Sequence, residues 1–141
     1  MKLVESFTDL VQLLPKLLKL YEQLDGKWFR FRSKEEFSAK LLEVYSNGAR
    51  VYAEEAPSDG FLYFAVVVKE TEESAYWWLL YVNPSYRGKT RAMVKRVLYE
   101  LKKEGVTEIF CSTVRTTSSY RRWIEKNFNA TLYANVYRAQ L

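Results

Sequence analysis

From Phe7 to Leu24 apolar residues recur at three- and four-residue spacing, with Leu10, Leu13, Leu14, Leu17, Leu18, Tyr21 and Leu24 on one broad face. That spacing predicts an amphipathic helix. Pro15 falls inside it, and proline removes an amide donor and crowds the preceding turn, so a kink or two pieces is expected. Asp25-Gly26 ends the pattern. Ser33-Lys34-Glu35-Glu36 then reads as a capping box, with Ser33 capping a helix and Glu36 reaching back to the serine's amide. This second helix should run to about Ser46, burying Phe37, Leu41, Leu42 and Tyr45, and stop at Asn47-Gly48.

From Ala49 the period changes from helical to alternating. Arg50–Glu54 reads as a strand and Pro57-Ser58-Asp59-Gly60 as a turn. Phe61–Lys69 is apolar on both faces, which predicts a central strand covered on both sides. Glu70–Ser74 is a charged turn, and Ala75–Val82 is a third strand. Short connections make these three antiparallel neighbours. A basic segment containing Gly88 follows, then a helical pattern with Val94, Val97, Leu98 and Leu101 on one face, ending at Gly105. Thr107–Thr113 is a fourth strand, parallel to the third because a helix intervenes. Ser118–Asn127 is another helix, capped by Ser118 or Ser119, and Thr131–Leu141 a final strand.

Composition narrows the class. The chain has 141 residues, 48% of them apolar and 28% charged, which predicts one globular domain spanning residues 1–141. No apolar run is long enough to cross a membrane, and Met1-Lys2-Leu3 lacks the shape of a signal peptide. A single cysteine fits a reducing, cytoplasmic setting. The chain has no histidine. That removes Ser-His-Asp and Cys-His catalysis and argues against a zinc site, so no metal is expected. Proton transfer is left to Glu, Asp, Tyr, Cys, Lys or water. The net charge of +5 suits anionic ligands without choosing among them.

The chemistry concentrates in Leu79-Leu80-Tyr81-Val82-Asn83-Pro84-Ser85-Tyr86-Arg87-Gly88-Lys89-Thr90-Arg91-Ala92. An apolar strand ends here at Asn-Pro, and a helix begins among Arg87, Lys89 and Arg91. Free amides at a helix head, its dipole and three cations favour phosphate. Neither a Walker loop nor a dinucleotide glycine fingerprint is complete.

The stretch resembles the acyl-CoA loop of the GNAT (Gcn5-related N-acetyltransferase) superfamily, in which a hydrophobic strand ending near V-x-P leads into Q/R-x-x-G-x-G/A and a helix. Arg87 to Ala92 fill the six places of that loop; Thr90 stands where the family prefers glycine. The element order agrees from about residue 6 onward, with Lys2–Glu5 as a remnant of the family's first strand. The resemblance implies an α+β fold: a GNAT-like mixed central sheet, an antiparallel meander followed by a parallel splayed pair, flanked by helices. It implies that acetyl-CoA lies in the splay. Backbone groups of Leu80, Tyr81 and Val82 would bind its pantetheine arm, and the amides of Gly88, Lys89, Thr90, Arg91 and Ala92 its pyrophosphate, with Arg87 beside them. Ser118 takes the asparagine place of the family's last-helix pattern and joins the cofactor contacts.

The catalytic half of that pattern is less complete. Many members carry a glutamate on the strand before the loop, whereas Ala75 to Arg91 contain no carboxylate. The family's tyrosine place falls on Glu125 or, with a one-residue insertion, on Ile124. Tyr120, about one turn earlier, is the candidate acid; Cys111 is a candidate acyl carrier or a small buried hydrophobe. The function implied is acetyl-CoA-dependent N-acetylation of an unidentified small-molecule or protein amine, by a monomer or homodimer. A degenerate GNAT-like binding or structural protein, of the kind phages encode, is the alternative. A third reading is a nucleic-acid module built on Lys95, Arg96, Lys102 and Lys103, with Arg115, Arg121 and Arg122 further on; Glu100 and Glu104 interrupt that run, no RNP-type or helix-turn-helix signature appears, and plain solvated helix faces are the favoured explanation. Trp28, Phe29, Arg30, Phe31 and Arg32 are core filling or the wall of an acceptor cleft.

Overall fold

The computed structural model describes residues 2–24, 31–112, 118–131 and 139–141. Helix α1 spans Phe7–Leu24 and α2 Lys34–Ser46. Strands β1 (Arg50–Glu55), β2 (Phe61–Lys69) and β3 (Ser74–Val82) follow. A 3-10 segment, Pro84–Lys89, leads into α3 (Thr90–Lys103), then β4 (Glu108–Cys111) and α4 (Ser118–Phe128). Among the described residues the sheet order is β1-β2-β3-β4, the first two pairings antiparallel and the last parallel. This is the mixed α+β architecture expected from the sequence.

The sheet has a core on each face. Leu10, Leu17, Leu20, Phe37 and Leu41 of α1 and α2 pack with Val51, Phe64, Val66 and Leu79 on one side. Met93, Val94, Val97 and Leu101 of α3, with Phe128 of α4, pack with Tyr52, Tyr63, Val67 and Trp77 on the other. Strand β2 sends alternate side chains to both cores, which is why its sequence is apolar throughout.

Several local expectations are corrected. α1 is one helix through Pro15. Pro15 is exposed, so water can reach the carbonyl that loses its donor. Glu36 does not close the box on Ser33: Ser33 Oγ accepts from the Glu36 amide at 3.1 Å, while the Glu36 carboxylate accepts from Arg32 N–H at 2.8 Å. Ser118 and Ser119 are the first residues of α4 itself, not its cap. At the α2 stop the left-handed residue is Gly48, with φ +97°. Lys2 to Val4 run antiparallel to β1, with Val4 N–H on Val51 O (2.7 Å) and Ala53 N–H on Lys2 O (2.9 Å). The expected final strand, and Asp25 to Arg30, lie largely or wholly outside the described residues.

Candidate acyl-CoA site

The site begins with an irregularity in β3. Its pairing with β2 runs Val67↔Trp77, then Val66↔Leu79, leaving Trp78 as an extra residue. A bulge of this kind puts two successive side chains on one face and increases local twist. Trp78 and Leu79 accordingly both join the α1/α2 core, whereas Trp77 and Leu80 join the other. The Trp77 indole N–H donates to Leu79 O at 2.9 Å and fixes the bulge from its buried side.

The described pairing with the parallel partner reaches the same place. Strand β4 pairs with β3 only from Ser74↔Glu108 to Trp77↔Cys111. A hydrogen bond between the Tyr76 and Ser112 hydroxyls ties the two strands at the end of the described pairing. Beyond it, Trp78 to Val82 continue with no β4 partner among the described residues. The Asn83 amide donates to Leu62 O at 2.8 Å, so alternation assigns the next outward-facing groups. Leu80 and Val82 turn N–H and C=O to the open side, and Tyr81 turns its own toward β2.

Asn83 then converts strand into loop. Its Oδ1 accepts from the Ser85 amide (3.0 Å) and hydroxyl (2.9 Å), and its Nδ2 donates to Phe61 O (3.1 Å). Pro84, with its preset φ, opens the 3-10 turn. Tyr86 holds that turn to the sheet: its ring lies 5.4 Å from that of Tyr63, and Lys89 Nζ lies 5.7 Å from the Tyr86 ring centre. Burial raises the Tyr86 pKa and, more strongly, that of Tyr63, to about 12. Both stay neutral in the physiological range.

Helix α3 starts at Thr90 without a side-chain cap, behind Lys89. The Thr90 amide bonds Arg87 O, so the expected row of amides from Gly88 to Ala92 is partly engaged by the 3-10 turn. Gly88 has no left-handed φ, and a Cβ there would meet nothing within 4 Å. No protein atom therefore requires glycine; the residue leaves an open approach to the backbone. Thr90 is 1% exposed and its Oγ1 has no hydrogen-bond partner among the described residues. The threonine at the family's glycine place thus points its side chain inward, leaving the outer face of the turn unobstructed but withholding the hydroxyl. Arg87, Lys89 and Arg91 are exposed around this turn. A small backbone approach, an uncapped helix head and three cations fit a pyrophosphate, and the outward groups of Leu80 and Val82 fit an amide-bearing arm.

The chemical candidates are Tyr120, Ser118 and Cys111. Tyr120 is half-buried in the first turn of α4, its ring stacked on Trp123 at 5.5 Å. Trp123 packs on Phe128, and Phe128 on Trp77 at 5.0 Å. A chain of rings therefore links Tyr120 to Trp77, the last β3 residue paired with β4 among the described residues. Ser118 is exposed at the head of the same helix. Cys111 ends β4 at an exposed position, yet partial desolvation raises its thiol pKa, the direction opposite to an activated thiolate. Phe31 is buried against Phe37 and Trp78, which places it in the core. Sequence reasoning missed the bulge at Trp78 and the role of Asn83. An uninterrupted apolar run cannot show the first; Asn-Pro-Ser at a strand end signals the second.

No protein-family model and no curated protein sequence matches the chain. Solved structures do. An aminoglycoside antibiotic 6'-N-acetyltransferase from Acinetobacter haemolyticus superposes with a TM-score of 0.69 at 12% identity, over 100% of this chain and 98% of that one. A ribosomal-protein-alanine N-acetyltransferase from Brucella melitensis gives 0.66 at 15%, over 100% of each. An acetyltransferase of the GNAT family from Staphylococcus aureus gives 0.65 at 11%, over 89% of this chain and 82% of that one. At such identities the likeness concerns the fold: the chain has the fold of the GNAT acetyltransferases.

Proposed function

We propose that this protein is an acetyl-CoA-dependent N-acetyltransferase. The observation that carries the reading is the stretch of β3 beyond the Trp78 bulge, which has no β4 partner among the described residues and runs through the Pro84–Lys89 turn into the uncapped head of α3. The names of two fold neighbours, which place acetyl groups on nitrogen, support the choice of an amine acceptor.

When bound, acetyl-CoA supplies an acyl group activated as a thioester. The chain's part is to hold and orient it. Leu80 and Val82 offer main-chain donors and acceptors to the pantetheine amides. Arg87, Lys89 and Arg91 neutralise the pyrophosphate, and the amides around Gly88, Arg91 and Ala92 donate to it. Ser118 adds a hydroxyl from α4. With no carboxylate from Ala75 to Arg91 to serve as the base, the enzyme works mainly by positioning an acceptor that arrives as a neutral amine. As the new C–N bond forms and the C–S bond breaks, Tyr120 would give its proton to the leaving sulfur and regain one from the acetylated nitrogen, so that the net transfer is from amine to thiol.

Titration calorimetry with acetyl-CoA, followed by thiol release against a panel of amines, tests this. Saturable binding plus amine-dependent thiol release is expected. No binding at millimolar acetyl-CoA overturns the reading. Binding without thiol release from any amine would favour the second reading, a non-catalytic acyl-CoA-binding domain, which the missing strand carboxylate also supports.

A further inference from the structure

The outer face of α3 is separate from the groups assigned above, apart from its first residues. Its exposed side chains are Arg91, Ala92, Lys95, Arg96, Tyr99, Lys102 and Lys103. Every one is cationic, aromatic or alanine; none is acidic. In the sequence Glu100 and Glu104 interrupt this run, but the structure turns both toward β1. Glu100 accepts a hydrogen bond from the Tyr52 hydroxyl at 3.0 Å, and Glu104 pairs with Arg50. None of Lys95, Arg96, Lys102 and Lys103 lies in an ion pair among the described residues. Tyr99 is 60% exposed, with Lys103 Nζ 4.8 Å from its ring centre.

Glu104 is thus held by Arg50 and Glu100 by the neutral Tyr52 hydroxyl, while Lys95, Arg96, Lys102 and Lys103 stand together without an ion pair among the described residues. Like charges gathered on one exposed face raise the local positive potential, which favours a polyanion lying along it. The helix is about 20 Å long at 1.5 Å per residue, a length that spans several phosphates of an extended strand. The outward tyrosine ring supplies a face on which a base can stack. An anionic bilayer fits less well, because the face lacks the apolar anchors an interfacial helix inserts.

We infer that the Lys95–Arg96–Tyr99–Lys102–Lys103 face of α3 docks single-stranded nucleic acid without sequence preference, through phosphate pairing and one stacked base. The inference does not depend on what the head of α3 binds.

Fluorescence anisotropy of the full chain with a labelled oligouridylate of about 20 nucleotides tests it, alongside polyglutamate and phosphatidylserine vesicles. With about four phosphates neutralised, affinity should fall roughly fifty-fold between about 50 and 200 mM salt. Lys95→Gln with Lys102→Gln should flatten the logarithmic salt slope by about 1.4. Tyr99→Ala should weaken binding about fivefold or more, whereas Lys40→Gln on α2 should leave it unchanged. Unaltered thermal melting of each variant confirms that exposed side chains alone were changed. Absence of binding at low salt, equal or tighter binding of polyglutamate or vesicles, or an unchanged affinity of Tyr99→Ala overturns the inference.

Discussion

Replacing Gly88 by alanine should separate stability from ligand binding. The added methyl meets no protein atom within 4 Å, and the backbone there is not left-handed. Folding should therefore gain, by restricting the unfolded chain, about 0.5 kcal/mol. Binding should lose. A methyl in the approach to the turn keeps a phosphate oxygen from the amides, and a hydrogen bond to a charged acceptor contributes about 1.5–3 kcal/mol. At about 1.4 kcal/mol per decade, acetyl-CoA affinity should drop tenfold or more. Urea denaturation and titration calorimetry on the same samples read both quantities. An affinity within twofold of the parent, with stability unchanged or raised, would mean that the space beside Gly88 is plain solvent. A stability loss above about 1 kcal/mol would show that the backbone itself needs glycine, contrary to its φ.

Three further outcomes follow from the same geometry. Thr90→Val removes a buried hydroxyl without a hydrogen-bond partner among the described residues, so stability should hold or rise by about 1 kcal/mol with acetyl-CoA affinity unchanged; a tenfold loss in affinity would place the hydroxyl on the ligand. Trp77→Phe deletes the indole donor to Leu79 O and should cost about 2 kcal/mol in urea denaturation, while a change under about 0.5 kcal/mol would show the bulge stands without it. Tyr52 and Tyr63 have ordinary values of 10.0 and are pushed up to about 12, mainly by burial. Both keep their protons in the folded state after the unfolded chain has lost them. The stability they contribute is complete below about pH 10 and is lost as pH rises toward about 12. The denaturation midpoint should fall across that window, and Tyr52→Phe should shallow the fall; a flat profile would contradict the burial argument.

Much of the fold was legible because its signals are local. The α1 face, the Ser33 cap and the β2 run each follow from side-chain periodicity or turn chemistry, and their boundaries agree closely with the structure. The bulge was not legible. Trp77, Trp78 and Leu79 are all apolar, and either face of the sheet would accept any of them; only pairing with β2 decides which residue is extra. Pro15 misled for a related reason: a helix tolerates proline where the orphaned carbonyl meets water, and exposure is a tertiary fact. Thr90 stood out as a departure from the family's glycine, but its spacing could not tell whether the hydroxyl faces ligand or core. The engagement of Glu100 and Glu104 was equally hidden, because their partners, Tyr52 and Arg50, lie 48 and 54 residues away in the chain.

Residue-resolved amide hydrogen exchange, with and without acetyl-CoA, tests the central claim most directly. Without ligand, Tyr81 should be protected by its pairing to β2, while Leu80 and Val82 should exchange freely; acetyl-CoA should slow those two together with the amides near Gly88. Leu80 and Val82 already protected in the free protein, and unchanged on adding acetyl-CoA, would mean the edge of β3 is closed and the acyl-CoA site does not exist.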